Sequence, residues 1–219
     1  PRPKSSAASD VYKRQQGILI MSHIDYFFSP ISPFTYLAGS GLEEIVWKHK
    51  ATVTYKPIDV IALFSRTGGT SPVQRHPSRQ EYRLQELQKQ SKKKNLPIKL
   101  KPQFISTNAA PSSYAIVAAQ ADGSGDVGGL LQGILRACWA KEKNITQEEV
   151  IKDCLLQAGF DPALSDSGLM SGAEIYEANL EEAITCGVFG SPFYIVDDGA
   201  WFWGQDRLDD LDTHLAGDL

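Results

Sequence analysis

Cysteine is scarce and poorly spaced for structural use: there are three in 219 residues, Cys138, Cys154 and Cys186, an odd number spread widely along the chain. That set suggests neither a disulfide framework nor a zinc site, and it favours a reducing compartment. Positive charge is also short. Lys and Arg total 22 against 26 Asp and Glu, for a formal net charge of -4. No basic stripe with interleaved aromatics is present, which argues against a nucleic-acid surface. Lys92-Lys93-Lys94 is the only basic run and reads as a solvated helix end. No apolar run approaches the roughly 18 residues that a spanning helix needs, so no membrane partner is expected. His23, His49, His76 and His214 have no metal-ligand spacing. No metal site is expected.

What is present suits a globular chain, with 42% hydrophobic, 22% charged and 10% aromatic residues, enough for a sizeable core. Residues 1–20 include SSAASDVYKRQ, which is polar and has no periodicity. We read 1–20 as a disordered or non-native N-terminal extension, with Met21 as the true start. A signal peptide is disfavoured because Gly17 to Met21 is too short for its apolar core.

The chain is organised around Ile24 to Leu37, IDYFFSPISPFTYL. Ile24, Tyr26, Phe27 and Phe28 form a β-branched and aromatic run broken only by Asp25, as expected of a strand buried on both faces. Pro33 fits a first helical turn, and Phe34, Leu37, Ala38, Leu42 and Ile45 share one face of a helix expected to run to about Lys48 to Lys50. Ser29 therefore falls where a strand hands over to a helix, beside unpaired N–H groups and the positive end of the helix dipole. Such a place suits an anion.

Ala51 to Ile58 alternates as a second strand, parallel to the first if the two enclose a β-α-β unit. Asp59 to Pro77 reads as a long connection, functional or mobile. Helices are expected over Arg79 to Asn95, from Asn108 through the alanine-rich stretch, over Asp126 to Glu142, from a Thr146/Glu149 capping box to Ala158, and over Ser171 to Gly187. In the last of these, Ile175, Leu180, Ala183 and Ile184 point inward. Val188 to Val196 returns to strand through Gly190-Ser191-Pro192, and Asp197-Asp198-Gly199 is a hairpin turn.

F-F-S-P-x-S-P-F-T-Y-L-A around Ser29 resembles the N-terminal motif of the 2-hydroxychromene-2-carboxylate isomerases and their relatives, the kappa-class glutathione transferases, in the DsbA-like branch of the thioredoxin superfamily. R-A-C-W-A-K-E-K-N-I from Arg136 and W-G-Q-D-R-L from Trp203 resemble two further motifs of that family. The resemblance spans Ile24 to about Leu215. It implies an α/β fold: a thioredoxin-like (DsbA-like) domain over 21–75 and 186–219, with an inserted all-α helical domain over 76–185. Redox members carry Cys-x-x-Cys where this chain has Ser29, Pro30, Ile31 and Ser32, so the turn cannot exchange disulfides.

The cofactor implied is glutathione. The resemblance gives Ser29 the catalytic role of hydrogen-bonding its thiolate, and gives Ser191 and a cis Pro192 its main-chain contacts. Gln205, Asp206 and Arg207 would take its γ-glutamyl end, although Asp206 alone would read as a helix N-cap. Gln74 and Arg75 match a polar-then-Arg pair near the substrate carboxylate. The family's F-K-x-x-G lysine is absent from Phe64 to Gly68, which leaves Arg66 as the nearest cation. Arg66 and Arg75 read equally well as solvated loop charges. A free thiol with a pKa near ~8.5 is only about 3% ionised at pH 7, and lowering that by ~2 units corresponds to roughly 2.7 kcal/mol.

The activity implied is glutathione-dependent conversion of 2-hydroxychromene-2-carboxylate to trans-o-hydroxybenzylidenepyruvate, a step in aromatic hydrocarbon and naphthalene catabolism, by a cytoplasmic homodimer. The alternatives are a kappa-like glutathione transferase and a non-catalytic glutathione-binding module.

Overall fold

The computed structural model describes residues 21–104 and 108–219. The expectation for 1–20 lies outside the described residues. From the N-terminus the elements are β1 (His23–Phe28), α1 (Pro33–Ala38), α2 (Gly41–His49), β2 (Thr52–Pro57), α3 (Val60–Thr67), a 3-10 turn (Pro72–Gln74) and α4 (Pro77–Lys94). There follow α5 (Ala110–Asp122), α6 (Val127–Trp139), α7 (Glu148–Gln157), α8 (Leu164–Ser167), α9 (Leu169–Cys186), β3 (Phe193–Val196), β4 (Trp201–Trp203), a second 3-10 turn (Gln205–Arg207) and α10 (Leu208–Ala216).

The sheet has the order β2-β1-β3-β4. β1 is central, parallel to β2 and antiparallel to β3, which explains its apolar run, broken only at Asp25, whose carboxylate pairs with Lys56. β1 and β2 with the helices between them make the β-α-β unit expected, and β3 and β4 close as a hairpin through Asp197-Asp198-Gly199. Side chains alternate across β1 as strand geometry requires. Tyr26 and Phe28 enter a large cluster that continues through Leu87, Ile116, Leu135 and Trp139, while Phe27 faces a smaller one with Ile58, Leu63, Ala183 and Phe193. Tyr26 stacks on Tyr194 with ring centroids 5.0 Å apart.

Four local expectations are corrected. The first helix is broken in two at Gly39, whose φ of 60 and ψ of -140 suit glycine and end α1 after six residues. Asp59 to Pro77 is not all loop. Asp59 caps α3 by accepting from the N–H groups of Ile61 and Ala62, and Gly68 ends it in the left-handed conformation. The Thr146/Glu149 capping box does not form, because the Asn144 carboxamide accepts from both the N–H and the hydroxyl of Thr146 and the helix starts later, at Glu148. In α9, Ile175 points outward at 43% exposure. Asn179 is buried instead, its Nδ2 donating to the Pro57 carbonyl at 3.2 Å and so tying α9 to the end of β2.

Candidate active site at the Ser29 turn

Three segments distant in sequence meet where β1 ends. Ser29 follows the last residue of β1, and Ser32 caps α1 by accepting from the Thr35 N–H at 3.3 Å, with Pro33 at the first helical position. The Ser191-Pro192 peptide is cis. The Ser29 N–H donates to Ser191 Oγ at 2.9 Å, Thr35 Oγ1 lies 3.0 Å from the same Oγ, and Ser32 Oγ donates to the Ser191 carbonyl at 3.2 Å. The main-chain contact expected of Ser191 is one with glutathione, and it is distinct from the contacts that Ser191 makes within the protein. The Ser191 side chain turns out to be the hub that joins the two loops.

The third segment is the Gln205–Arg207 turn, which packs against α1. It is joined to the cis-proline loop by the Gly204 N–H, which donates to the Pro192 carbonyl at 3.0 Å. Gly204 has φ 112, so the backbone calls for glycine in W-G-Q-D. Gln205 is buried, whereas Asp206 and Arg207 are exposed. Arg207 is bound to Asp210 at 3.0 Å and lies 4.0 Å from Asp206.

The Ser29 hydroxyl stands apart in this network. Ser29 is only 1% exposed, and its Oγ has no hydrogen-bond partner among the described residues. A buried hydroxyl left unpaired is unfavourable unless something else completes it. With its N–H already committed to Ser191, Ser29 has one free donor, and that donor is the hydroxyl.

The residues expected to contact the substrate are divided by the fold. Arg66, near the end of α3, is exposed and paired with Glu181 of α9 through both its terminal nitrogens. Gln74 is exposed and accepts from Ser71 Oγ at 3.0 Å. Arg75 is half-buried, over the Phe64 ring at 5.8 Å, and donates from Nε to the Thr70 carbonyl at 2.9 Å. Sequence reasoning passed over Arg83 on α4, which is half-buried with its guanidinium 5.8 Å from the centre of the Phe34 ring. Since α4 packs against α1, Arg83 reaches the helix that begins at the Ser29 turn. The sequence signal was faint: one Arg in a charged helix whose apolar stripe is thin.

Cys138 and Cys154 are buried away from this site. Burial pushes the Cys138 thiol up to about 12 and raises Cys154 as well, so neither is a thiolate at neutral pH. Among the described residues no group of three or more His, Cys, Asp and Glu could hold a metal ion, and no helix is long and apolar enough to cross a membrane.

Comparison with known proteins identifies the fold. Residues 23–216 match the family of the DSBA-like thioredoxin domain. The chain is 27% identical over 195 residues to a 2-hydroxychromene-2-carboxylate isomerase of Sphingobium xenophagum, covering 88% of this chain and 97% of that protein. It is 24% identical to glutathione s-transferase kappa 2 of Caenorhabditis elegans, covering 88% of this chain and 91% of the relative. Its fold is that of a solved 2-hydroxychromene-2-carboxylate isomerase, with a TM-score of 0.74 at 22% identity over 89% of this chain and 95% of the other.

Proposed function

Since this chain belongs to the family of DSBA-like thioredoxin domains, and carries serine where disulfide chemistry needs cysteine, we propose that it is a cytoplasmic glutathione-dependent isomerase. Its reaction is conversion of 2-hydroxychromene-2-carboxylate to trans-o-hydroxybenzylidenepyruvate. The observation that carries this reading is the Ser29 hydroxyl, buried, unpartnered and placed at the cis-proline loop. The relatives named as isomerases support the choice of reaction.

The residues present fit glutathione. Ser29 Oγ is a donor in search of an acceptor. The Ser191 N–H, next to the cis bond, has no backbone partner among the described residues and is free for an extended peptide. Gln205, Asp206 and Arg207 would hold the γ-glutamyl end, with the exposed Asp206 carboxylate facing its ammonium. When bound, glutathione supplies a thiolate that adds reversibly to a conjugated carbon and is regenerated. The chain's part is to hold that charge and orient the partner. Ser29 donates its proton to the hydrogen bond without losing it. Ser191 fixes the Ser29 backbone through the 2.9 Å bond, and Thr35 holds Ser191 in turn. Arg75 supplies positive charge for a substrate carboxylate and a developing enolate.

Kappa-like transfer at the same serine is the second reading, favoured by the similarity to the Caenorhabditis elegans protein. Turnover of 2-hydroxychromene-2-carboxylate with a catalytic amount of glutathione, followed by a count of free thiol, separates the two. Product in large excess over glutathione, with no thiol consumed, is the result expected. Loss of one thiol per turnover would establish transfer, and no turnover at all would overturn the isomerase assignment.

A further inference from the structure

Among the described residues several cations are neutralised where they stand, and these include the half-buried Lys56 and Lys152. Arg66 and Arg207, both exposed, are paired with Glu181 and Asp210. Lys56, mostly buried, holds Asp25 at 2.9 Å and Glu182 at 2.7 Å. Arg75 and Arg83 differ from the other half-buried cations. Both are half-buried, and among the described residues neither has a carboxylate partner within salt-bridge distance. Burial lowers the pKa of each, and a neighbouring arginine lowers it further, Arg79 for Arg75 and Arg75 for Arg83. Partly desolvated like charges with no counter-charge destabilise a protein that holds nothing there.

Each guanidinium is held over an aromatic ring, Arg83 over Phe34 and Arg75 over Phe64. With one face against a ring, the N–H edge is what remains to be offered, and an edge matches a carboxylate lying in the guanidinium plane. Arg75 has already given Nε to Thr70 and keeps its terminal nitrogens. Arg83 lies against α1 at Phe34, and both α4 and the Gln205–Arg207 turn pack on that helix.

We propose that Arg83, with Arg75, forms the anion-binding end of a second ligand site, which takes a planar conjugated or aromatic carboxylate on the α4 side of α1. This rests on the isomerase reading for its link to catalysis, and names the group that recognises the electrophile. Arg83 is the principal contact, because Arg75 is partly spent on Thr70.

Salicylate, a planar aromatic carboxylate, and salicylamide, its neutral counterpart, are the probes. Both are titrated by calorimetry into the wild-type protein, Arg83→Gln and Arg83→Lys. Salicylate affinity is expected to fall about tenfold or more in Arg83→Gln and to recover in part in Arg83→Lys, while salicylamide changes less than about twofold. The thermal midpoint of ligand-free Arg83→Gln is expected to be unchanged or raised, since an uncompensated charge has been removed. Equal weakening of both probes, a lowered midpoint, indifference of salicylate to Arg83, or no salicylate binding to the wild type would each overturn the proposal. Glutathione thiolate absorbance, measured on the same wild-type sample, keeps the two readings apart. Arg83-dependent salicylate binding without thiol activation leaves this site standing and removes the isomerase, and the reverse removes this site alone.

Discussion

Ser29 and Ser191 carry hydroxyls with opposite duties. The Ser191 hydroxyl accepts from the Ser29 N–H and meets Thr35 Oγ1, so Ser191→Ala leaves a buried N–H unpaired and should lower stability by about 1–2 kcal/mol. The Ser29 hydroxyl is buried and bonded to nothing among the described residues, so Ser29→Ala should leave the urea midpoint unchanged or raise stability by up to about 1 kcal/mol. A drop in stability for Ser29→Ala as large as that for Ser191→Ala would mean that Ser29 is a structural residue. At this scale the sequence was legible where the chain itself sets the geometry. Ser29, Pro33 and Gly204 lie in short motifs whose turn chemistry is local. Arg83 was not legible, because its burial comes from packing of α4 on α1 and not from any neighbour in sequence. The pairing of Arg66 was not legible for the same reason: its partner Glu181 lies more than a hundred residues away, on α9.

Elements were legible where periodicity was strong and hidden where a cap carried the signal. The apolar run in β1 and the alternation in β2 gave the parallel pair, whereas α3 was hidden within Asp59 to Pro77 because it is only eight residues long and is set by a single cap, Asp59. Asp59→Ala removes the acceptor for two N–H groups and should destabilise by about 1 kcal/mol, measured by urea denaturation. The break between α1 and α2 was missed because the apolar face continues through it, and only the backbone at Gly39 separates the two. A Cβ there meets Leu96 Cδ1 at an ordinary 3.6 Å, so the penalty is conformational. Gly39→Ala is expected to lose about 1–3 kcal/mol, and a loss below a few tenths would show that α1 and α2 can run together.

Across the whole molecule, the sheet is tied to its helices by a few buried polar contacts whose titration is open to measurement. Glu43 of α2 accepts from the Tyr55 hydroxyl at 2.9 Å, its second oxygen is buried without a partner, and a Cβ on Gly128 of α6 would meet its Oε1 at 2.6 Å. Burial raises the Glu43 pKa above the usual carboxylate value. The folded protein therefore holds this proton more tightly than the unfolded chain. Its contribution to stability is full below the unfolded value of about 4.3 and is lost as pH rises through the higher folded value. Glu43→Gln should flatten that loss and be more stable than wild type at neutral pH; a steeper loss in the variant would contradict it. The site is likewise a product of the whole fold, since β1, the cis-proline loop and the Gln205–Arg207 turn must come together before Ser29 can act on a bound thiol. That action on the thiol is tested most directly by the ultraviolet absorbance of glutathione thiolate across pH, with wild type and Ser29→Ala. The account predicts a thiol pKa clearly below its free value of ~8.5 on the wild type, returning towards that value in the variant. An unshifted thiol on the wild type, or a shift that survives Ser29→Ala, would contradict it.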